Sequence, residues 1–131
     1  MITFKQYMFE SSGKSKLSVD KDGVKRWFYN TKPHREDGPA IIYTNGDKAW
    51  YVNGKRHRLD GPAVELANGY KAWYVNGKRH RLDSPAIEWA NGTKEWFING
   101  KEMTENDFLV YTKQQDVKDA ISKNDQSGWD L

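Results

Sequence analysis

Three times in this 131-residue chain a histidine is followed at once by an arginine and then by an aspartate and a proline, in "HREDGPA", "HRLDGPA" and "HRLDSPA". These segments bring His34, His57 and His80 beside Arg35, Arg58 and Arg81. Imidazoles next to carboxylates could ligate a metal, and guanidinium groups could grip phosphate. A metal site needs ligands converging on one point, whereas these histidines fall one repeat apart in a row, so neither a metal nor any other cofactor is expected. The cations suit a different chemistry. Lys55, Arg56, Arg58, Lys78, Arg79 and Arg81 form a candidate binding surface, a basic ladder able to track phosphates. The competing reading is a turn in which Asp caps backbone N–H groups, Pro fixes φ and His bonds locally.

Other catalytic signals are missing. "SSGKS" holds Gly13-Lys14-Ser15, but a phosphate loop needs a second glycine five residues before Gly13, where Met8 stands. A catalytic residue would be unique rather than copied three times, so no enzyme is expected. The chain has no cysteine, which excludes disulfides, thiolate zinc sites and a cysteine nucleophile and suits a reducing compartment. With 21 basic residues against 18 acidic ones, the formal charge of +3 describes a mixed surface, and it supports only weak, non-specific attraction to DNA. No window approaches the roughly 18 apolar residues of a membrane helix, and Met1 to Phe9 lacks the apolar run of a secretory signal, so no membrane partner is expected.

The elements that must position these residues repeat. Asp22-Gly23, Asn45-Gly46, Asn68-Gly69 and Asn91-Gly92 lie 23 residues apart, as do Trp27, Trp50, Trp73 and Trp96. Between Asn-Gly pairs run "DKAWYV" and "YKAWYV", whose aromatic and β-branched content predicts strands joined by two-residue type I′ turns. A second short strand is expected at "PAVEL" and "PAIEW". The fold class expected is therefore mainly β, a repetitive antiparallel hairpin meander over 19–103 with the last unit incomplete. Strand alternation places Trp50 and Val52 on one face and Tyr51 on the other, so the four tryptophans are expected as a structural ladder. Ser84 stands where Gly38 and Gly61 stand in the other copies, so that position needs no positive φ; Thr31 and Pro33 mark the first hairpin as irregular.

"WYVNGKRHRLDGPAV" resembles the MORN-like repeats of many bacterial, phage and giant-virus proteins, over about Val19 to Lys101. The resemblance implies a repeat sheet used as an interaction surface or scaffold, in some cases as an antitoxin-like component. This chain departs from the commonest pattern in its longer period and in its His-Arg-x-Asp-Gly-Pro turn.

The ends differ from the repeats. From Thr104, placed as an N-cap with Glu105 and Asp107 behind it, "TENDFLVYTKQQDVKDAISK" predicts one or two amphipathic helices that close the sheet edge over 104–123, using Phe108, Leu109, Tyr111, Val117, Ala120 and Ile121. Residues 124–131 are expected as a tail. At the other end, Thr3 and Gln6 have the form of a capping box, and Phe4, Tyr7 and Met8 share one side of a short helix that is too short to hold alone in water. "SSGKSKLS" then reads as a spacer over 11–18. "MITFKQYMFE" resembles the capsid-targeting peptides of T-even bacteriophage internal head proteins, with Thr3, Phe4, Tyr7 and Met8 in the targeting positions and proteolytic cleavage after Glu10. Met103-Thr104-Glu105 fits the same cleavage pattern. The resemblance implies a protein that binds the phage capsid core or scaffold, lies in the capsid interior, and passes with the DNA into the host cytoplasm. There its repeat surface would bind a host protein, such as a defence nuclease. The alternatives are an unpackaged cytoplasmic interaction or antitoxin-like module, and a nucleic-acid binder working through the basic ladder.

Overall fold

A computed structural model of the chain describes Glu10–Ser11 and residues 15–126. It is mainly β, with short antiparallel strands in sequence order followed by one helix, Glu105–Gln126. Each full repeat contributes two strands to a continuous sheet and projects a small hairpin from it. In one unit these are Lys48–Ala49 and Val64–Glu65 in the sheet and Tyr51–Val52 with Lys55–Arg56 in the hairpin; the next unit repeats them at Lys71–Ala72, Ile87–Glu88, Tyr74–Val75 and Lys78–Arg79.

Two turn types alternate. Asn53 and Gly54 both have positive φ, 51° and 81°, which makes the expected type I′ turn between the hairpin strands. Asn76-Gly77 and Asn99-Gly100 make the same turn, whereas Asn45-Gly46, Asn68-Gly69 and Asn91-Gly92 depart from that expectation. At 43–47 Tyr43 N–H donates to the Asp47 carbonyl at 2.9 Å, Gly46 N–H donates to the Tyr43 carbonyl at 3.1 Å, and only Gly46 has positive φ, 99°. This is a three-residue loop ending in a left-handed glycine, held by the Asn45 carboxamide, which accepts Asp47 N–H at 2.9 Å. Asp20, Asn68 and Asn91 brace the corresponding loops through their side chains.

The six-residue strands expected around the central tryptophans are broken. Trp50 and Trp73 each sit between two-residue strands, where the chain leaves the sheet for the hairpin, whereas the end repeats keep five-residue strands at Lys25–Tyr29 and Lys94–Ile98. Alternation therefore does not run through the bend, and the tryptophans do not form the centre of the core. That centre is small: Ala40, Ala63, Ala72 and Ala86 are fully buried, with Tyr74, Ile87 and Phe97 around the last three. Alanine lets successive turns approach closely, and Trp50 and Trp73 pack on the margin. Trp27 is buried, while Trp96 is half-buried beside Met103 on the last hairpin. Charges alternate across the sheet, since Glu65 lies opposite both Lys48 and Lys71 and Glu88 opposite both Lys71 and Lys94.

The expected spacer over 11–18 is corrected wherever it is described, beginning with Ser11, which ends the short strand Glu10–Ser11 and lies opposite Ser15. Ser15–Val19 is a strand paired with Lys25–Tyr29, and Ser15 is fully buried. Its polarity concealed it, because a strand is held by backbone bonds that need no apolar side chain. Residues 12–14 lie outside the described region. The helix starts where expected, with the Thr104 hydroxyl accepting Asp107 N–H at 3.1 Å, but it is single and longer, running to Gln126. Its first turns cap the sheet as expected, packing on Lys94–Ile98 and Lys101–Met103, but the rest of it does not. Phe108 is buried, yet Leu109, Val117 and Ile121 are more than half exposed, and every residue of 116–123 is exposed.

Candidate functional site: clefts between successive His-Arg turns

The site begins with the link from one repeat to the next. His57 N–H donates to the Trp50 carbonyl, and His57 Nδ1 accepts the backbone N–H of Asn76 in the following hairpin at 3.0 Å. His34 serves Asn53 in the same way at 2.9 Å, and His80 serves Asn99 at 3.0 Å. Each imidazole must therefore be neutral, with its proton on Nε2, and the lone pair a metal would use is committed. Among the described residues no group of three or more His, Asp or Glu could hold a metal ion. Burial pushes the His80 pKa down. His34 is buried, and its Nε2 has no hydrogen-bond partner, with the Glu36 carboxylate 3.6 Å away.

The arginine after each histidine folds back over the tryptophan eight residues before it. The guanidinium carbons of Arg35, Arg58 and Arg81 lie 3.8, 3.9 and 3.7 Å from the ring centroids of Trp27, Trp50 and Trp73. Arg58 also donates from Nε to Asp60 at 2.9 Å, and from Nη1 to the Pro62 carbonyl at 3.0 Å and to Glu65 at 3.2 Å. Arg81 repeats this with Asp83, the Pro85 carbonyl and Glu88. Arg58 holds the Asp60 carboxyl below the usual carboxylate range. A Cβ at Gly61 would stand 2.7 Å from the Arg58 guanidinium carbon, so glycine there leaves room for the stack and φ is not the reason. At Ser84 the third turn accommodates a side chain, and Arg81 still stacks.

The basic ladder expected from sequence is thus divided. Arg58 and Arg81 are stacked, ion-paired and only about a fifth exposed, because a desolvated tryptophan face and three acceptors hold each of them. Lys55, Arg56, Lys78 and Arg79 are exposed on the hairpin strands. Of these, Arg79 donates to the Tyr74 hydroxyl at 3.3 Å and Arg56 lies 5.4 Å from the Tyr74 ring centroid. Lys32 and Lys101 extend the exposed lysines at the same period.

Because the arginines are pinned, the turns that carry them stand as fixed walls. One cleft of about 630 Å³ has Trp50, Val52 and His57 as its floor and 35–38 and 58–60 as its walls. The next, about 780 Å³, has Trp73, Val75 and His80 below and 58–61 and 81–83 at the sides. Every lining position shared by the two is 23 residues from its equivalent. Leu59 and Leu82 project from the walls, 80% and 52% exposed. The Asp60 and Asp83 carboxylates are open to solvent at 86% and 83% of their side-chain surface. An incoming molecule meets leucine and carboxylate at the rim, not arginine. A smaller apolar recess lies elsewhere between Leu66, Tyr70 and Trp89, whose rings meet edge-on at 4.7 Å.

Sequence reasoning missed the leucines and carboxylates of the rim. The constant eight-residue spacing from Trp27, Trp50 and Trp73 to Arg35, Arg58 and Arg81 was the available signal for the stacks. The targeting residues Thr3, Phe4, Tyr7 and Met8 lie outside the described residues, and so does Trp129. Glu10 falls in a strand, paired opposite Lys16. No protein-family model, no characterised protein and no solved structure matches the chain.

Proposed function

We propose that the protein is a non-enzymatic binding module whose row of clefts docks a segment of a host protein. The observation that carries this reading is the pair of equivalent clefts on successive repeats, each with an aromatic floor, rigid walls and exposed apolar and acidic rims. Clefts lined by aromatic and apolar groups with a few polar ones are where proteins hold ligands, and Leu59 and Leu82 leave more than half of their surface in water beside them. Affinity capture from host extract tests it. The Leu59→Lys/Leu82→Lys protein, with an unchanged melting temperature, should lose a partner that the wild type retains; equal recovery by both would contradict the proposal.

Delivery is the narrower part of the proposal. Through the resemblance of "MITFKQYMFE", the protein is a phage internal head protein, packaged through Thr3, Phe4, Tyr7 and Met8 and cut after Glu10. Protein from purified virions should then begin at Ser11, and Glu10→Ala should leave it uncut. Its absence from virions leaves an unpackaged cytoplasmic interaction module. The exposed row Lys32, Lys55, Lys78 and Lys101 favours a second, weaker contact with DNA, which should fade by physiological salt.

A further inference from the structure

The clefts repeat, so a ligand that fills two of them must repeat with the same step. Each repeat advances the sheet by two strands, and at about 4.8 Å per strand the step is roughly 9.6 Å. Three backbone forms can be compared with that figure. An extended strand returns a side chain to the same face about every 6.7 Å, so neither one nor two of its periods fits. An α-helix turns every 5.4 Å or so, and two turns overshoot. A polyproline-II helix has three residues per turn at about 3.1 Å each, a period of about 9.3 Å, which matches.

The chemistry of the clefts agrees with that form. Tryptophan floors with leucine ridges suit the flat, apolar faces of proline, and a polyproline-II chain is already ordered before it binds. The rim presents carboxylate oxygens to solvent: Asp60, Asp83, Glu36 and Asp37 expose more than half of their side-chain surface, whereas Arg35, Arg58 and Arg81, which pair with the three aspartates, are only about a fifth exposed. We infer that the cleft row binds a proline-rich peptide in polyproline-II form, with a cationic residue at every third position directed at the successive carboxylates and prolines seated over Trp50 and Trp73. This rests on the cleft row being the docking surface, and it names the class of segment that docks there.

The probe is the peptide (Arg-Pro-Pro)₃, titrated into the full chain while the indole N–H and leucine methyl signals are followed by NMR. The control has the same composition in blocks, Arg₃Pro₆, so that only the period differs. The repeating peptide should shift the signals of Trp50, Trp73, Leu59 and Leu82 and bind about tenfold or more tightly than the block peptide, and Leu59→Lys/Leu82→Lys should abolish the shifts by placing like charge against it. Equal binding of both peptides in the clefts would overturn the period and leave the docking surface standing. Shifts confined to the lysine hairpins or the helix would overturn the surface as well. No binding of the repeating peptide at about 1 mM, the range of the weakest measurable complexes, overturns the inference alone, since capture of a host partner is read separately.

Discussion

His57 Nδ1 accepts the backbone N–H of Asn76 at 3.0 Å, nineteen residues further along the chain, so one repeat's histidine holds the next repeat's turn. The same bond at His34 and His80 makes the neutral imidazole a structural requirement three times over. In a stack where each thin layer touches only its neighbours, such a bond bears on the whole array.

Acid should therefore loosen the protein. Burial keeps the folded His80 pKa below 6.5, whereas in the unfolded chain the imidazole takes up its proton near that value. The unfolded state then binds more protons, so stability is fully present above about pH 6.5 and is lost as pH falls from there through the folded pKa. Urea midpoints should fall between pH 7.5 and pH 5, and His80→Gln should flatten that profile while lowering the pH 7.5 value.

Trp73 and Arg81 should prove coupled. Trp73→Ala should cost about 2–4 kcal/mol, less than for a fully buried tryptophan because the ring lies at the margin of the core. A double-mutant cycle with Arg81→Ala should return a coupling of about 0.5–2 kcal/mol, the range for a guanidinium stacked on an aromatic ring, and additive losses would remove the stack from the account.

Thr31 is the one β-branched residue among the described residues with positive φ, 65°, in a type I′ turn that the other hairpins close with glycine. Thr31→Gly should stabilise the protein by about 0.5–1 kcal/mol, relief of strain outweighing the greater freedom of glycine when unfolded. Thermal melts of the two proteins check this.

The helix should divide into a docked and an idle part. Phe108→Ala should cost about 3–4 kcal/mol, since its side chain is 3% exposed, while Val117→Ser/Ile121→Ser should change stability by no more than about 0.5 kcal/mol. Equilibrium unfolding of both variants separates the two parts.

Sequence reading and structure part company at identifiable residues. The 23-residue period, the strand content and the Asn53-Gly54 turn were legible, because each depends on local chemistry repeated in register. The stacking of Arg58 on Trp50 was not, since strand alternation says which face a side chain takes within its own strand and nothing about a guanidinium folding back from the following turn. Sequence alone therefore places Arg58 and Arg81 with the surface charges. Ser15–Val19 was hidden because its pairing with Lys25–Tyr29 is made by backbone groups that polarity does not report. The helix itself was legible, but Val117 lies nine residues from Phe108, half a turn around the axis, so it and Ile121 face away and only Phe108 meets the sheet.

The central claim is that a partner docks between successive His-Arg turns, and site-specific photo-crosslinking tests it most directly. A photoreactive side chain placed singly at position 59, 82, 55 or 117 keeps the fold, since all four sites are exposed. The account predicts that positions 59 and 82 crosslink to the same host protein and that positions 55, on the lysine row, and 117, on the helix, do not. Crosslinks to that protein from 55 or 117 in place of 59 and 82 would contradict it.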